Sequence, residues 1–387
     1  MKACPICADR GVRVFDRRER VSILQNRLYE TPEEARQAKA GTLEMAVCEA
    51  CGFIFNAGFD QARLAYDPSY ENDQSQSAVF QAHLDRRIER ILDAVSDIAR
   101  PHLVEPGCGQ GDFLERLAAA APGDLTATGF DPAYRGGRAG GSGDAIIHRR
   151  LFDETASAGL DNPPDAVISR HTIEHIADPG AFLGAIRRAA GTDRPVRVFL
   201  ETPCAHWIIE RLQFHDLFYE HCSIFTAASL HLAMERAGFT PTRIEHVFGG
   251  QYLWAEFLPG EPAIERPPVP RLDTQRWQDE RARYVGEWQA RIDEARRDGP
   301  VYLWGAGAKG VTFALLTDPE GTRLEGAVDV SPKKQGRFIP LTGLDVVAPA
   351  ALPDTSFTTI VMHPNYRDEI ASGLQSAGRR AKLLSLA

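Results

Sequence analysis

The stretch Leu103-Val104-Glu105-Pro106-Gly107-Cys108-Gly109-Gln110-Gly111 constrains the fold more than any other part of the chain. An apolar run enters it, and a run with helical spacing, Phe113 to Leu117, leaves it. The pattern predicts a strand, a tight glycine turn and a helix. Glycines at 107, 109 and 111 permit dihedrals that a Cβ forbids and let the backbone pass close to a ligand. The N-terminus of the next helix offers N–H groups to a carboxylate or phosphate. The third glycine comes one residue too early for the dinucleotide fingerprint G-x-G-x-x-G. Taken alone, these residues also fit a glycine-rich surface turn.

A second acid narrows the choice. Leu125 to Phe130 reads as the next strand and ends at Asp131. A carboxylate at the tip of that strand suits a ribose diol, because it can accept two hydroxyl hydrogens. Asp131 can also be read as a turn residue before Pro132. The acid-x-Gly-x-Gly-x-Gly turn resembles motif I of class I S-adenosylmethionine (SAM) methyltransferases. That resemblance implies that Glu105, Gly107, Gly109 and Gly111 surround the methionine part of SAM and that Asp131 holds the ribose. It also implies adenine contacts from Phe152 and Asp153, which follow a short strand, Ala145 to His148, and a cofactor contact from His171.

At 387 residues the chain is long enough for two or three domains. Apolar residues at 43% and charged residues at 25% are ordinary for a globular protein. A net charge of −9 argues against a nucleic-acid partner, which selects a basic surface. No apolar run approaches the roughly 18 residues of a membrane span. The segment Met1-Lys2-Ala3-Cys4-Pro5 lacks the apolar core of a secretory signal, so a cytoplasmic location is expected.

The seven cysteines include two C-x-x-C pairs, Cys4-Pro5-Ile6-Cys7 and Cys48-Glu49-Ala50-Cys51. Two such knuckles complete a tetrahedral four-thiolate zinc site, structural because all four positions are filled by protein. A redox C-x-x-C or unligated thiols are the alternatives. The residues between the pairs predict a helix, Pro32 to Ala40.

A polar loop, Tyr66 to Ser77, then leads into an amphipathic helix from about Ala78 to Ile98. Beyond Asp131, a buried strand, Ala166 to Ser169, is followed by Arg170-His171-Thr172-Ile173-Glu174-His175. A helix, Ala181 to Ala190, and a strand, Val196 to Leu200, continue the alternation. Such alternation means a doubly wound α/β sheet with ligands at the carboxyl ends of its strands. His171 to His175 matches the H-x-x-E-H of inverted zinc proteases, but that motif needs a helix and here it follows a strand. Histidines that merely cap strand and helix are the other reading. Phe218-Tyr219-Glu220-His221 sets a carboxylate beside a histidine, which suits a general base. The same residues can be read as a loop of partly buried aromatics. Pro259 to Pro270 is a stiff boundary. Trp277, Tyr284, Trp288, Ile292 and Ala295 then lie at helical spacing, as packing residues of a bridging helix. Val301 to Gly310 repeats the strand, glycine turn and helix, which predicts a second, Rossmann-like α/β domain. With Lys309, Lys333 and Lys334 it would hold an anion, or serve only as structure.

In this order, the parts resemble the three-domain, zinc-containing SAM-dependent nucleotide-sugar C-methyltransferases, whose best-known members methylate C3 of thymidine-diphosphate 4-keto deoxysugars. The resemblance covers essentially the whole chain. It implies a zinc module at 1–65, a SAM domain at 66–258, a linker and bridging helix at 259–298 and a Rossmann-like domain at 299–387. It implies His221 as base, with Glu220, His175 and Tyr70 completing the catalytic set. The family often reads Tyr-His-Glu-His where this chain has Phe218-Tyr219-Glu220-His221, so one tyrosine hydroxyl is displaced or lost. The chemistry follows from the carbon acid. A base removes a proton next to a carbonyl, donors stabilise the enolate, and the enolate attacks the SAM methyl. The substrate implied is a small molecule, a nucleotide sugar. Two other functions stay open on sequence: methyl transfer to an oxygen, nitrogen or non-sugar carbon, and a non-catalytic SAM- or nucleotide-binding interaction protein.

Overall fold

The computed structural model describes residues 2–64, 77–136, 144–191 and 195–386. Tyr70, most of its polar loop and residues 137–143 of the glycine-rich stretch lie outside the described residues. Among the described residues the strands form sheets of four, seven and five.

The first sheet begins as a meander of β1 (Val12–Ser22), β2 (Ala40–Cys48) and β3 (Ile54–Asn56). The pairing register of β1 shifts between Val14 and Asp16 and again between Arg18 and Val21. Such bulges re-aim side chains, and here Asp16 is buried. The helix expected over Pro32 to Ala40 is shorter, α1 (Pro32–Arg36). Thr31 caps it and Pro32 fills its first turn, but Ala40 and Gly41 already belong to β2. Gly41 lies under the Tyr219 ring, where an added Cβ would come within 2.8 Å.

The central layer contains α2 (Ala78–Ala94), β4 (His102–Pro106), α3 (Asp112–Ala120), β5 (Thr126–Phe130), β6 (Asp144–His148), α4 (Glu154–Ala158), β7 (Ala166–Arg170), α5 (Pro179–Ala190) and β8 (Arg197–Pro203). It continues with α6 (Ala205–Glu210), β9 (Ser223–Ile224), α7 (Ala227–Arg236), β10 (Arg243–Val247) and β11 (Tyr252–Phe257). The sheet order is β10-β11-β8-β7-β4-β5-β6. Its pairs are parallel except those of β11, which runs antiparallel to β10 and β8. The winding reverses between β4 and β7, so their carboxyl ends open a crevice. Helices cover both faces, with Phe80, Ile88 and Ile91 of α2 packed on one and Phe182, Leu183 and Ile186 of α5 on the other. The short β9 leaves this layer and pairs with β3, Ile54 opposite Ile224. The first sheet is thus completed by a strand from the central part of the chain.

The last layer contains α8 (Thr274–Ala295), β12 (Val301–Trp304), α9 (Ala308–Thr317), β13 (Gly326–Val328), β14 (Val346–Val347), β15 (Phe357–Val361), α10 (Arg367–Ser376) and β16 (Ala381–Ser385). Its sheet is parallel, in the order β14-β13-β12-β15-β16. The expected bridging helix is α8. Its Trp277 packs against Phe15 and Phe214, and its Trp288 against Phe313. The glycine turn after β12 repeats the device of the one after β4. Asp329, past β13, accepts a hydrogen bond from Ala306 N–H at 2.9 Å, as Asp131, past β5, accepts one from Gly109 N–H at 2.9 Å.

Candidate active site

The glycine turn has the form its sequence requires. Gly107 stands at φ +76°, and a Cβ there would meet Thr172 Oγ1 at 2.0 Å. Gly109, at φ +59°, has nothing within 4 Å on its Cβ side. One glycine is therefore demanded by packing, and the other leaves open space at the mouth of β4. Asp131 also accepts from Ala133 N–H at 2.7 Å, so its carboxylate is fixed beside the turn. Glu105 is buried, and its Oε2 has no hydrogen-bond partner among the described residues. Burial pushes its pKa up to about 8, against the attraction of Arg170. Phe152 is buried against Phe130, the last residue of β5. Asp153 caps α4, accepting from Ala156 N–H at 2.8 Å.

Past β7 the chain bends sharply at His171, a non-glycine residue at φ +49°, into a single 3₁₀ turn, Ile173–His175. The H-x-x-E-H spacing is therefore not on one helix face. Glu201 of β8, fully buried, receives His83 Nε2 at 2.6 Å and Arg170 Nε at 3.1 Å. Its Oε1 lies 3.5 Å from His171 Nε2. Burial opposes the Glu201 charge, but Arg170, His171 and His83 outweigh it and hold its pKa well below the ordinary value. His171 lies between this carboxylate and Glu174, whose Oε1 is 3.4 Å from His171 Nδ1. Burial would lower its pKa, but the two carboxylates raise it to about 9, so it carries a positive charge at neutral pH.

Glu220 and His221 come together with His175, but not as a simple pair. Glu220 is fully buried and accepts the Gln25 N–H at 2.5 Å, from the segment after β1. Its Oε2 lies 3.9 Å from His175 Nδ1. The His221 ring crosses that of His175 edge to face at 5.0 Å and rests on Phe218 at 3.8 Å. Its Nδ1 is closed to solvent and has no partner among the described residues. Burial, then the charges of His175, His171 and Lys309, push its pKa well below the ordinary value. Tyr219 faces away, with its hydroxyl 3.0 Å from Asp60 N–H. Tyr70 is outside the described residues.

The C-terminal layer closes one side. Lys309, at the start of α9, pairs with Asp216 at 2.9 Å. His363 stacks on Trp207 at 5.7 Å, and Glu369 accepts from Ser77 Oγ at 3.0 Å. Lys334 is buried against Asp329 at 3.3 Å. Gly307, before α9, supplies no side-chain cap.

In the N-terminal layer, Cys4 Sγ lies 3.7 Å from Cys51 Sγ and Cys7 Sγ 3.4 Å from Cys48 Sγ. All four sulfurs lie within 4.8 Å of one another. Tetrahedral zinc with Zn–S of about 2.3 Å would set its sulfurs about 3.8 Å apart, so the four thiols fit such an ion.

Sequence reading passed over Glu174 and Glu201. Glu174 lay inside a motif of which only the histidines were given roles. Glu201 lies one residue past the expected strand end at Leu200, within a β8 that runs on to Pro203, although an acid at a strand end was the signal that had singled out Glu105.

Residues 80–244 match a family model described as a methyltransferase domain. Residues 274–383 match one described as a C-methyltransferase C-terminal domain. A sequence comparison with curated proteins finds no match. Among solved structures, one similar to this chain is a putative O-methyltransferase from Nostoc punctiforme PCC 73102. It is 14% identical with a TM-score of 0.34, over 46% of this chain and 57% of that one. Magnesium protoporphyrin IX methyltransferase from Synechocystis PCC 6803 is 14% identical with a TM-score of 0.35, over 49% of this chain and 90% of that one. The cyclopropane synthase MmaA2 from Mycobacterium tuberculosis is 14% identical with a TM-score of 0.36, over 66% of this chain and 86% of that one. These structural likenesses are too weak to bear on the acceptor.

The protein is a SAM-dependent methyltransferase with a class I α/β fold. Its second matched segment makes it, more particularly, a methyltransferase with a C-methyltransferase C-terminal domain. The glycine turn fits SAM, since Gly109 leaves room for it and Glu105 has a buried oxygen with no partner among the described residues. Among the described residues no helix is long and apolar enough to cross a membrane.

Proposed function

We propose that this enzyme methylates a carbon next to the carbonyl of a nucleotide-linked keto-deoxysugar. The observation that carries the reading is the buried His221 Nδ1, without a hydrogen-bond partner among the described residues, in a cluster with His171, Glu174, His175 and Glu220. A carbon is a methyl acceptor only after losing a proton, and that step needs a base held in a dry site.

On this reading the Glu105 carboxylate takes the ammonium of SAM, the turn from Gly107 to Gly111 follows its methionine part, and Asp131 exchanges its backbone contacts for the ribose hydroxyls. Phe152 and the end of the α4 cap at Asp153 border the adenine. SAM supplies the methyl group. His221 accepts the proton from the acceptor carbon. The positive His171 faces the charge that develops on the carbonyl oxygen, where a fixed cation lowers the barrier. His175, held by Glu220, and Tyr70 complete the set. The uncapped N-terminus of α9, with Lys309, suits the phosphates of the nucleotide. Four thiolates hold a structural zinc ion that ties the N-terminal layer together. Domain limits near residues 65, 258 and 298 follow from the same reading.

Incubation with SAM and a panel of nucleotide-linked 4-keto deoxysugars tests it. The expected product carries a new C–CH₃ group next to the former keto carbon, seen by NMR. A product methylated on oxygen or nitrogen overturns the reading.

A further inference from the structure

From the same cluster we infer that Glu174, His175 and His221 form a binding site for one divalent transition ion, zinc by donor type, whose binding switches methyl transfer off. The inhibitory part rests on His221 as the base; the binding part does not.

One donor atom from each of the three side chains falls within 4.8 Å of the other two. Donors on one zinc ion stand about 3.3 Å apart, so side-chain movements of about an ångström would close the set. Two imidazoles and one carboxylate suit zinc with a position left open, whereas magnesium and calcium select oxygen donors. The ligands do not come from the H-x-x-E-H spacing as such. The 3₁₀ turn contributes Glu174 and His175, and the third ligand arrives from the loop before β9.

Two of the three donors have capacity to spare. His221 Nδ1 is shut from water with no hydrogen-bond partner among the described residues. Glu174 Oε2 accepts from Thr202 Oγ1 at 3.2 Å, and Oε1 lies 3.4 Å from His171 Nδ1. Each oxygen retains a second lone pair for a metal. Glu220, 3.9 Å from His175 Nδ1, is a carboxylate of the kind that orients a ligating imidazole. The His175 side chain is 18% exposed, which leaves the cluster a way in from solvent.

The consequence follows from electron pairs. The imidazole lone pair that would take the acceptor's proton is the pair the metal would occupy, so the two uses exclude one another. Inhibition should therefore compete with the acceptor. It should leave SAM binding alone, since Glu105 and Asp131 are not ligands.

The test is a cobalt(II) titration of the full chain, with the four-cysteine site already filled with zinc. One equivalent of cobalt should bind with visible ligand-field absorption and without a thiolate charge-transfer band. Glu174→Gln and His221→Asn should each weaken it by at least about 10–100-fold, the loss usual when only an outer-shell partner is removed. Unchanged SAM affinity and zinc content in both variants show that they fold. No such equivalent, or one that both variants bind as the wild type does, overturns the site. Zinc should then raise the apparent KM for any acceptor the enzyme methylates, and bound metal without inhibition would overturn the switch. Because the titration contains no acceptor, an incorrect sugar assignment leaves its result untouched.

Discussion

Glu105 is a carboxylic acid that folding buries, with no hydrogen-bond partner for one oxygen among the described residues. Its folded pKa is raised to about 8 by burial, so the unliganded protein carries it protonated at neutral pH. A raised folded pKa adds stability that is full below the ordinary glutamate value and is lost as pH rises through about 8. A cationic ligand beside it reverses the preference. SAM binding at pH 7 should therefore release close to one proton in the wild type and none from this site in Glu105→Gln. Calorimetry in buffers of different ionisation enthalpy measures this, and equal release in both proteins would remove Glu105 from the SAM site. Asp131→Ala should weaken SAM by about 1–3 kcal/mol, the cost of leaving hydroxyl partners unmade. Unchanged SAM affinity would show that Asp131 serves only the turn, through Gly109 and Ala133.

Among the elements, β1 and α8 are joined by one buried charge. Asp16 accepts from Arg18 at 2.6 Å and from Trp277 Nε1 at 3.1 Å, and it also pairs with Arg281 of α8. Burial works against its charge, but Arg18, then Arg281 and the Trp277 N–H, hold its pKa below the ordinary aspartate value. A depressed folded pKa gives stability that is present above the ordinary value and lost as pH falls through the folded one. Asp16→Asn should cost about 3–5 kcal/mol at neutral pH, the usual cost of breaking a buried pair. The gap between the two proteins should close on acidification below about pH 4. Thermal melting against pH measures both, and a gap that does not depend on pH would assign the loss to packing. β1 was also the element least readable in the sequence. Its charged run, Asp16-Arg17-Arg18-Glu19-Arg20, has no alternation, because the two register shifts break the period that marks a strand. The turn after β4 was readable for the opposite reason: close approach to Thr172 leaves only glycine at 107, and the residue type records that demand. Glu201 was hidden, since the partners that give it meaning, His83, Arg170 and His171, come from other segments.

At the scale of the whole molecule, the histidine cluster is supported from all three layers. Gln25 fixes Glu220 from the first, Lys309 pairs with Asp216 from the third, and β9 ties the histidine loop to β3. The order of these parts could be read along the chain, but their convergence could not, because each contact joins residues far apart in sequence. The paired cysteines should hold about one zinc per chain. Cys48→Ser with Cys51→Ser should abolish that zinc and lower the melting temperature. Methyl transfer should fall further than SAM binding, since β3 supports the loop carrying Glu220 and His221. Metal retained in the double variant would place zinc elsewhere.

The most direct test of the mechanism separates deprotonation from methyl transfer. In deuterated solvent without SAM, the wild type should exchange the proton at the carbon it methylates. His221→Asn should reduce this exchange and methyl transfer in parallel, by about 10²–10⁴, while binding SAM normally. Exchange at the wild-type rate with transfer lost would show that His221 is not the base and pass the role to His175 or Tyr70. Wild-type protein that transfers methyl groups with no exchange at carbon would contradict enolate formation altogether.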